Sequence, residues 1–316
     1  MAEPETPGSE SWERGVLERL VRSVLDEQRR TRRWGILFKS LGFLYLFIVL
    51  FLALGWLGSK EKAPGRHTAL VEVNGVISAE GQASAERVNA GLQDAFKDSK
   101  TVGVILRVNS PGGSPVQAGQ INSEMRRLRT LYPKIPLYVV VEDICASGGY
   151  YVAVAADRIY VDPASIVGSI GVLMDGFGFT GTMEKLGVER RLLTAGENKG
   201  FLDPFSPLNA KQKDYAEKLL ADVHRQFIDV VRRGRGKRLK DSPELFSGLV
   251  WTGQKSVELG LADALGSVTY VARDVIKAED IVDFTPRENL AERFARRFGA
   301  ATAEALVRMT ASPGLR

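Results

Sequence analysis

The sequence predicts an α/β protein, a parallel sheet with flanking helices, preceded by one N-terminal transmembrane helix. Three observations carry that reading. Apolar, β-branched runs alternate with helical patterns from Thr68 to Phe284. An uncharged stretch, Leu41–Leu57, lies near the N-terminus. Two glycine-rich turns directly follow strand-like runs. Strands that alternate with helices need crossover connections, and crossovers build parallel sheets.

Residues 1–34 are charged, but Trp12, Val16, Leu17, Leu20, Val21, Val24 and Leu25 recur at helical spacing. They predict an amphipathic helix, assigned to a cytoplasmic N-terminal segment. Residues 35–57 form the expected span. Its 23 residues would reach roughly 35 Å, enough for a hydrocarbon core of about 30 Å. Trp34 and Trp56 mark its two interfaces, and Lys39 can snorkel. A cleaved signal peptide does not fit, because its apolar region is only about 7–15 residues and sits near the chain start. The small residues Ala53 and Gly55 lie inside the apolar run, not after it. Arg29, Arg30, Arg32, Arg33 and Lys39 outnumber Lys60, Lys62 and Arg66 across the span. The positive-inside rule then puts the N-terminus in the cytoplasm and the C-terminal bulk outside. Residues 58–67, ending in His67, read as a linker.

The domain at 68–284 has five expected strands: Ala69–Val73, Val102–Val108, Leu137–Val141, Arg158–Val161 and Ile170–Met174. Helices are expected at Ala85–Lys97, Pro115–Leu131, Ser147–Ala156, Ala210–Arg233 and Gln254–Leu259. Asn209 is the N-cap of the long helix, with Gln212 at the capping-box position. The run Arg232, Arg233, Arg235, Lys237, Arg238 and Lys240 reads as a solvated helix end or a lipid-facing surface, and nucleic acid is not expected as a partner. Residues 285–316 form a basic tail.

Composition narrows the chemistry. The chain has two histidines and one cysteine, Cys145. A structural zinc site needs four such ligands, so none is expected. No EF-hand spacing or other acidic loop suggests a metal, and no cofactor is expected. A histidine base could only be His67 or His224, and neither is well placed.

Three glycine-rich segments stand out: Asn109–Ser114, Cys145–Tyr151 and Thr194–Phe201. The first two fall at the carboxyl ends of strands, where open α/β sheets place their sites. Their backbone amides could hold a phosphate or an oxyanion, but no lysine follows the glycines as in a P-loop. Ser147, opening a helix before Gly148 and Gly149, suits a nucleophile. Taken alone, it reads rather as an N-cap, with the glycines allowing tight helix–sheet packing. A serine can be activated by a lysine. That lysine must fall from a pKa of about 10.4 to near 8, at a cost of roughly 3 kcal/mol, and desolvation supplies such shifts. Lys199, followed by Phe201, Leu202, Pro204 and Phe205, has apolar neighbours for it. Taken alone, it reads as a solvated loop lysine.

Together these segments resemble the bacterial signal-peptide peptidases of the Ser/Lys type (the signal peptide peptidase A family), in their short single-anchor form. The resemblance runs from about Leu70 to Gly266. It rests on Asn109–Gly113, Ala146–Tyr151, Val167–Val172, Gly196–Lys199, and Trp251-Thr252-Gly253 with Gly260–Asp263 and Gly266. It implies a ClpP/crotonase-like fold, Ser147 as nucleophile and Lys199 as general base. It implies the Gly113 and Gly148 amides as oxyanion donors, and Ser169 as the serine supporting the lysine. It also implies a homo-oligomeric ring, an octamer among the candidate sizes, with active sites shared between subunits. The expected substrates are signal peptides left in the membrane after secretion. The expected location is the bacterial inner membrane, single-pass, with the catalytic domain on the periplasmic side. A related protease cutting one specific protein, or a non-catalytic ring scaffold, are the competing readings. Gly200 and Leu249 depart from the frequent Asp and Arg of relatives, outside the reacting groups.

Overall fold

The computed structural model describes residues 9–53, 65–240 and 242–286. Two units divide it, one holding the N-terminal helix and the other beginning at Lys62 and ending at Pro286. Residues 54–57 of the expected span, 58–64 of the linker and 287–316 of the tail lie outside the described residues.

The first unit holds helix α1, Ser9–Ala53, unbroken over 45 residues. The amphipathic segment and the apolar span are thus parts of one helix. Within it, Glu27–Phe51 is long and apolar enough to cross a membrane.

The second unit runs β1 (His67–Asn74), α2 (Ala85–Lys97), β2 (Thr101–Ser110), α3 (Pro115–Leu131), β3 (Leu137–Ala146), α4 (Gly148–Ala153), β4 (Arg158–Val161) and β5 (Ile166–Gly168). It continues with α5 (Thr180–Lys185), α6 (Ala210–Arg235), β6 (Val250–Thr252), α7 (Gly253–Glu258), β7 (Ala264–Leu265), α8 (Val268–Tyr270) and β8 (Ile281–Asp283). Strands β8, β1, β2 and β3 lie side by side and parallel. At β3 the sheet forks. Its first half pairs with β4 and its last three residues with β5. Among these pairings only β5–β6 is antiparallel.

Alternation along the strands assigns the two faces. Val71, Leu106 and Val139 join Leu92, Ile121, Met125 and Val231 in the main core. Leu70, Ile105, Val140 and Tyr160 face the other way, against Val271 and Ala272. Both faces are buried, as parallel strands require.

Several expectations change here. Ile170–Met174 is not a strand. It is apolar enough, but no neighbour offers it a hydrogen-bonding edge, and the strand lies earlier at Ile166–Gly168. His67 opens β1 instead of ending a linker. Its Nδ1–H donates to the Gly65 carbonyl at 3.2 Å, and Nε2 lies 3.3 Å from Thr101 Oγ1. Asn209 caps α6, accepting from the Lys211 and Gln212 amides at 2.9 and 3.4 Å. Gln212 does not close a capping box, because its side-chain oxygen accepts from the Leu202 amide at 3.1 Å instead.

The basic run is not all surface. Arg235 is 2% exposed. Its guanidinium makes a two-pronged contact with Asp263 at 2.8 and 3.0 Å, and Arg238 reaches the same carboxylate at 3.1 Å. Burial alone would raise the Asp263 pKa, but the Arg235 hydrogen bonds and charge prevail and hold it below the usual carboxylate value.

Candidate active site

The site begins with the bulge in β3. Ladder pairs step from Val108–Val141 to Ser110–Cys145, so β3 carries extra residues there. Asn109 fills the gap, accepting from the Ile144 amide at 3.3 Å and donating to Asp143 at 3.1 Å. This aims the ends of β2 and β3 at each other.

Both following turns need glycine. Gly113 has φ +142°, and a Cβ there would stand 2.2 Å from the Ile77 carbonyl oxygen. Its neighbours bond Ile77 on both sides: Ile77 N–H to Gly112 O, and Ser114 N–H to Ile77 O, each at 2.8 Å. The Gly113 amide is skipped by that pattern and has no acceptor among the described residues.

Ser147 follows β3 with φ 50° and ψ −121°. A non-glycine residue in such a conformation costs about 1–3 kcal/mol, and such strain clusters at functional sites. The N-cap alternative fails, since the Ser147 side chain makes no capping hydrogen bond. The hydroxyl has no hydrogen-bond partner among the described residues. The turn is clamped by Ser147 N–H donating to Gly168 O at 2.9 Å. Gly148 opens α4, so its amide has no partner within the helix. A Cβ placed on Gly148 would lie 3.2 Å from the Gly113 nitrogen, which puts the two glycines in contact.

These groups open into a cleft of about 560 Å³. Gly113, Ser147, Gly148 and Ser169 line it, with Tyr151, Val172, Leu173, Gln226 and Phe227. Ser169, half-buried, also has positive φ (52°), and its amide donates to Leu249 O at 2.7 Å. Its hydroxyl, too, has no partner among the described residues. Gln226 and Phe227 come from α6, far away in sequence, and no local motif points to them.

Lys199 is not among the residues that line this cleft. It sits in an exposed turn, its amide bonded to Gly196 O at 3.1 Å. Its apolar neighbours pack elsewhere: Phe205 stacks on Phe179 at 5.3 Å, and Phe201 meets Tyr215 edge-on at 5.8 Å. Within one chain the fold therefore gathers Ser147, Gly113, Gly148 and Ser169, and leaves Lys199 outside. Cys145, buried in β3, has its thiol pKa pushed up by desolvation and is no nucleophile. Among the described residues no cluster of His, Cys, Asp or Glu could hold a metal.

The remaining motifs are supports. Trp251 lies over Gly168, where a Cβ would come within 2.8 Å of its ring. Thr252 caps α7 by accepting from the Lys255 amide at 3.3 Å. The Tyr150 hydroxyl, in the turn after Ser147, donates to Leu261 O at 2.8 Å. Asp263 accepts from the Ile159 amide at 2.7 Å as well as from its arginines. The segment Gly260–Asp263 thus braces the helix behind the serine.

The fold is ClpP-like, and the site belongs to the class that presents a serine hydroxyl beside free backbone amides. Comparison with known proteins points to a peptidase. Residues 129–281 match the model of peptidase family S49. A protein of Enterococcus faecium, provisionally named signal peptide peptidase SppA, is 30% identical over 72% of this chain and 67% of its own length. Protease 4 of Haemophilus influenzae is 32% identical over 68% of this chain and 35% of its own. A Brucella abortus protein named Na(+)/H(+) antiporter NhaA is 48% identical over 56% of this chain, which spans only 24% of that protein. The chain belongs to peptidase family S49.

Proposed function

We propose that this chain is a membrane-anchored serine endopeptidase in which Lys199 of one copy activates Ser147 of the next. The observation that carries the reading is the strained Ser147, its hydroxyl free, beside the unpaired amides of Gly113 and Gly148. In the chemistry this supports, Ser147 Oγ attacks a peptide carbonyl and gives its proton to Lys199 Nζ. The carbonyl oxygen takes the negative charge and accepts hydrogen bonds from the two glycine amides. Protonated Lys199 then passes the proton to the leaving amine as the C–N bond breaks. Water, activated by the neutral lysine, hydrolyses the ester to Ser147.

Lys199 has no side-chain partner within its own chain among the described residues, and no lysine, histidine or carboxylate is among the described residues that line the Ser147 cleft. A neighbouring copy that covered Lys199 would desolvate it and lower its pKa. Ser169, which lines the same cleft, would accept a hydrogen bond from such a lysine. The apolar helix Glu27–Phe51 supports anchoring, with the N-terminus in the cytoplasm and the domain outside. An anchored cleft favours peptides already in the membrane, of which remnant signal peptides are the proposed substrates.

The test uses the full chain in detergent and a released signal peptide. Ser147→Ala and Lys199→Ala are each expected to abolish cleavage. Mixed rings of the two should recover activity, because random mixing leaves roughly a quarter of the sites with both groups. Full activity in either pure variant would overturn the mechanism. No recovery, with mixing confirmed, would place both groups in one chain.

A further inference from the structure

We propose that His224 is a positioning residue for this site, fixing the segment against which a peptide substrate pairs. The inference rests on the peptidase reading above and deepens it. The segment is Gly171–Met174, which follows Ser169 and lines the Ser147 cleft through Gly171, Val172 and Leu173. The amides of Val172, Leu173 and Met174 find no backbone acceptor among the described residues, and Leu173 is 80% exposed. An unpaired backbone beside a nucleophile is an edge on which a peptide can add as a strand. Such an edge reads its partner in register only if it is held still at one end.

Three contacts hold that end. The Ser169 amide is bound to Leu249 O at 2.7 Å. Gly171 lies against Gly248, close enough that a Cβ would be 3.1 Å from the Gly248 Cα. Between them His224 Nε2 lies 3.1 Å from the Ile170 carbonyl oxygen. A carbonyl only accepts, so Nε2 carries the proton, and it does so whether the ring is neutral or charged. Ile170 is itself fully buried, so this bond ties a rigid core residue to α6 just before the chain runs free. The same stretch of α6 supplies Phe227, whose ring packs on Tyr151 at 5.2 Å, the residue four after Ser147. Helix α6 thus holds both walls of the cleft, Phe227 the serine side and His224 the strand side.

The test compares a long peptide anilide with an acetyl-alanine ester, which is too short to lie along Val172–Met174. For His224→Ala the KM of the peptide should rise roughly ten-fold, the upper range for one lost hydrogen bond, with a much smaller change in kcat. The ester should lose far less than the peptide. His224→Gln keeps a donor near the Nε2 position and should restore most of the peptide KM. Amide hydrogen exchange should quicken at Ser169 and Gly171, whose amides are bonded to Leu249 O and Ser169 O on either side of Ile170, in His224→Ala and return toward wild type in His224→Gln. An equal loss on both substrates, or exchange unchanged at those amides, would overturn the role of His224 alone. If wild type cleaves neither substrate while the exchange result holds, the peptidase reading fails instead, and the positioning role in catalysis falls with it.

Discussion

Two regions of the catalytic unit are built on opposite terms. Around Ser147 the backbone is close-packed: Gly112, Gly113, Gly148 and Gly149 each abut backbone atoms, and the surrounding strands are buried. Around Lys199 the chain is open. Leu193 is 95% and Phe177 80% exposed, and Gly176, Gly178 and Gly181 have nothing within 4 Å of a built Cβ. Large exposed apolar side chains gathered in one region mark an interaction surface. The contrast teaches that one chain completes the Ser147 turn with its free glycine amides, while the region around Lys199 leaves large apolar side chains exposed.

Glycine substitutions probe that contrast most strongly. Gly113→Ala forces a Cβ onto the Ile77 carbonyl and disturbs a proposed oxyanion donor, so kcat should fall by about 10²–10³, the loss typical of one such donor. Gly178→Ala in the lysine region should leave the melting temperature unchanged. A tolerated Gly113→Ala, measured by peptide turnover, would break the comparison.

The brace behind the serine comes next. Asp263→Asn leaves the buried Arg235 without its counter-charge, which should cost about 3–5 kcal/mol. Thermal unfolding followed by circular dichroism measures it. Because the Asp263 carboxyl is held below its usual pKa, the pair's contribution is complete above an ordinary carboxylate pKa of about 3.9 and is lost as pH falls through the lower folded value. The gap between wild type and variant should therefore hold from neutral pH to about pH 4 and narrow below it. A gap independent of acid would rule out this account of the brace.

The smallest effect on stability separates the two regions most cleanly. Leu193→Ser should shift unfolding by less than about 0.5 kcal/mol, as expected for an exposed site, yet weaken assembly. Sedimentation in detergent would show smaller particles and peptide turnover would fall with them. Normal assembly and activity would remove the lysine region as the contact surface.

Much of this was legible in the residues. The turns after β2 and β3 announced themselves because positive φ and close backbone approach admit little but glycine. The strands β1 to β4 and helices α2, α3 and α6 followed from apolar period and capping, which are local. Three readings went astray for one shared reason. Ile170–Met174 has strand composition, but a strand needs a partner. Gln212 has the capping-box spacing, but Leu202 claims its side chain. Arg235 looked like part of a solvated run, but Asp263 meets it from a distant segment.

Residue pattern alone established the class of sheet, the long apolar helix and the two glycine turns, because each depends on backbone rules acting within a few residues. Tertiary structure alone decided that Arg235 is buried, that His224 reaches Ile170, that Gln226 and Phe227 line the cleft, and that Lys199 stands outside it. Those facts depend on which distant surfaces meet, and a hydrogen bond or an ion pair exists only where its partner arrives.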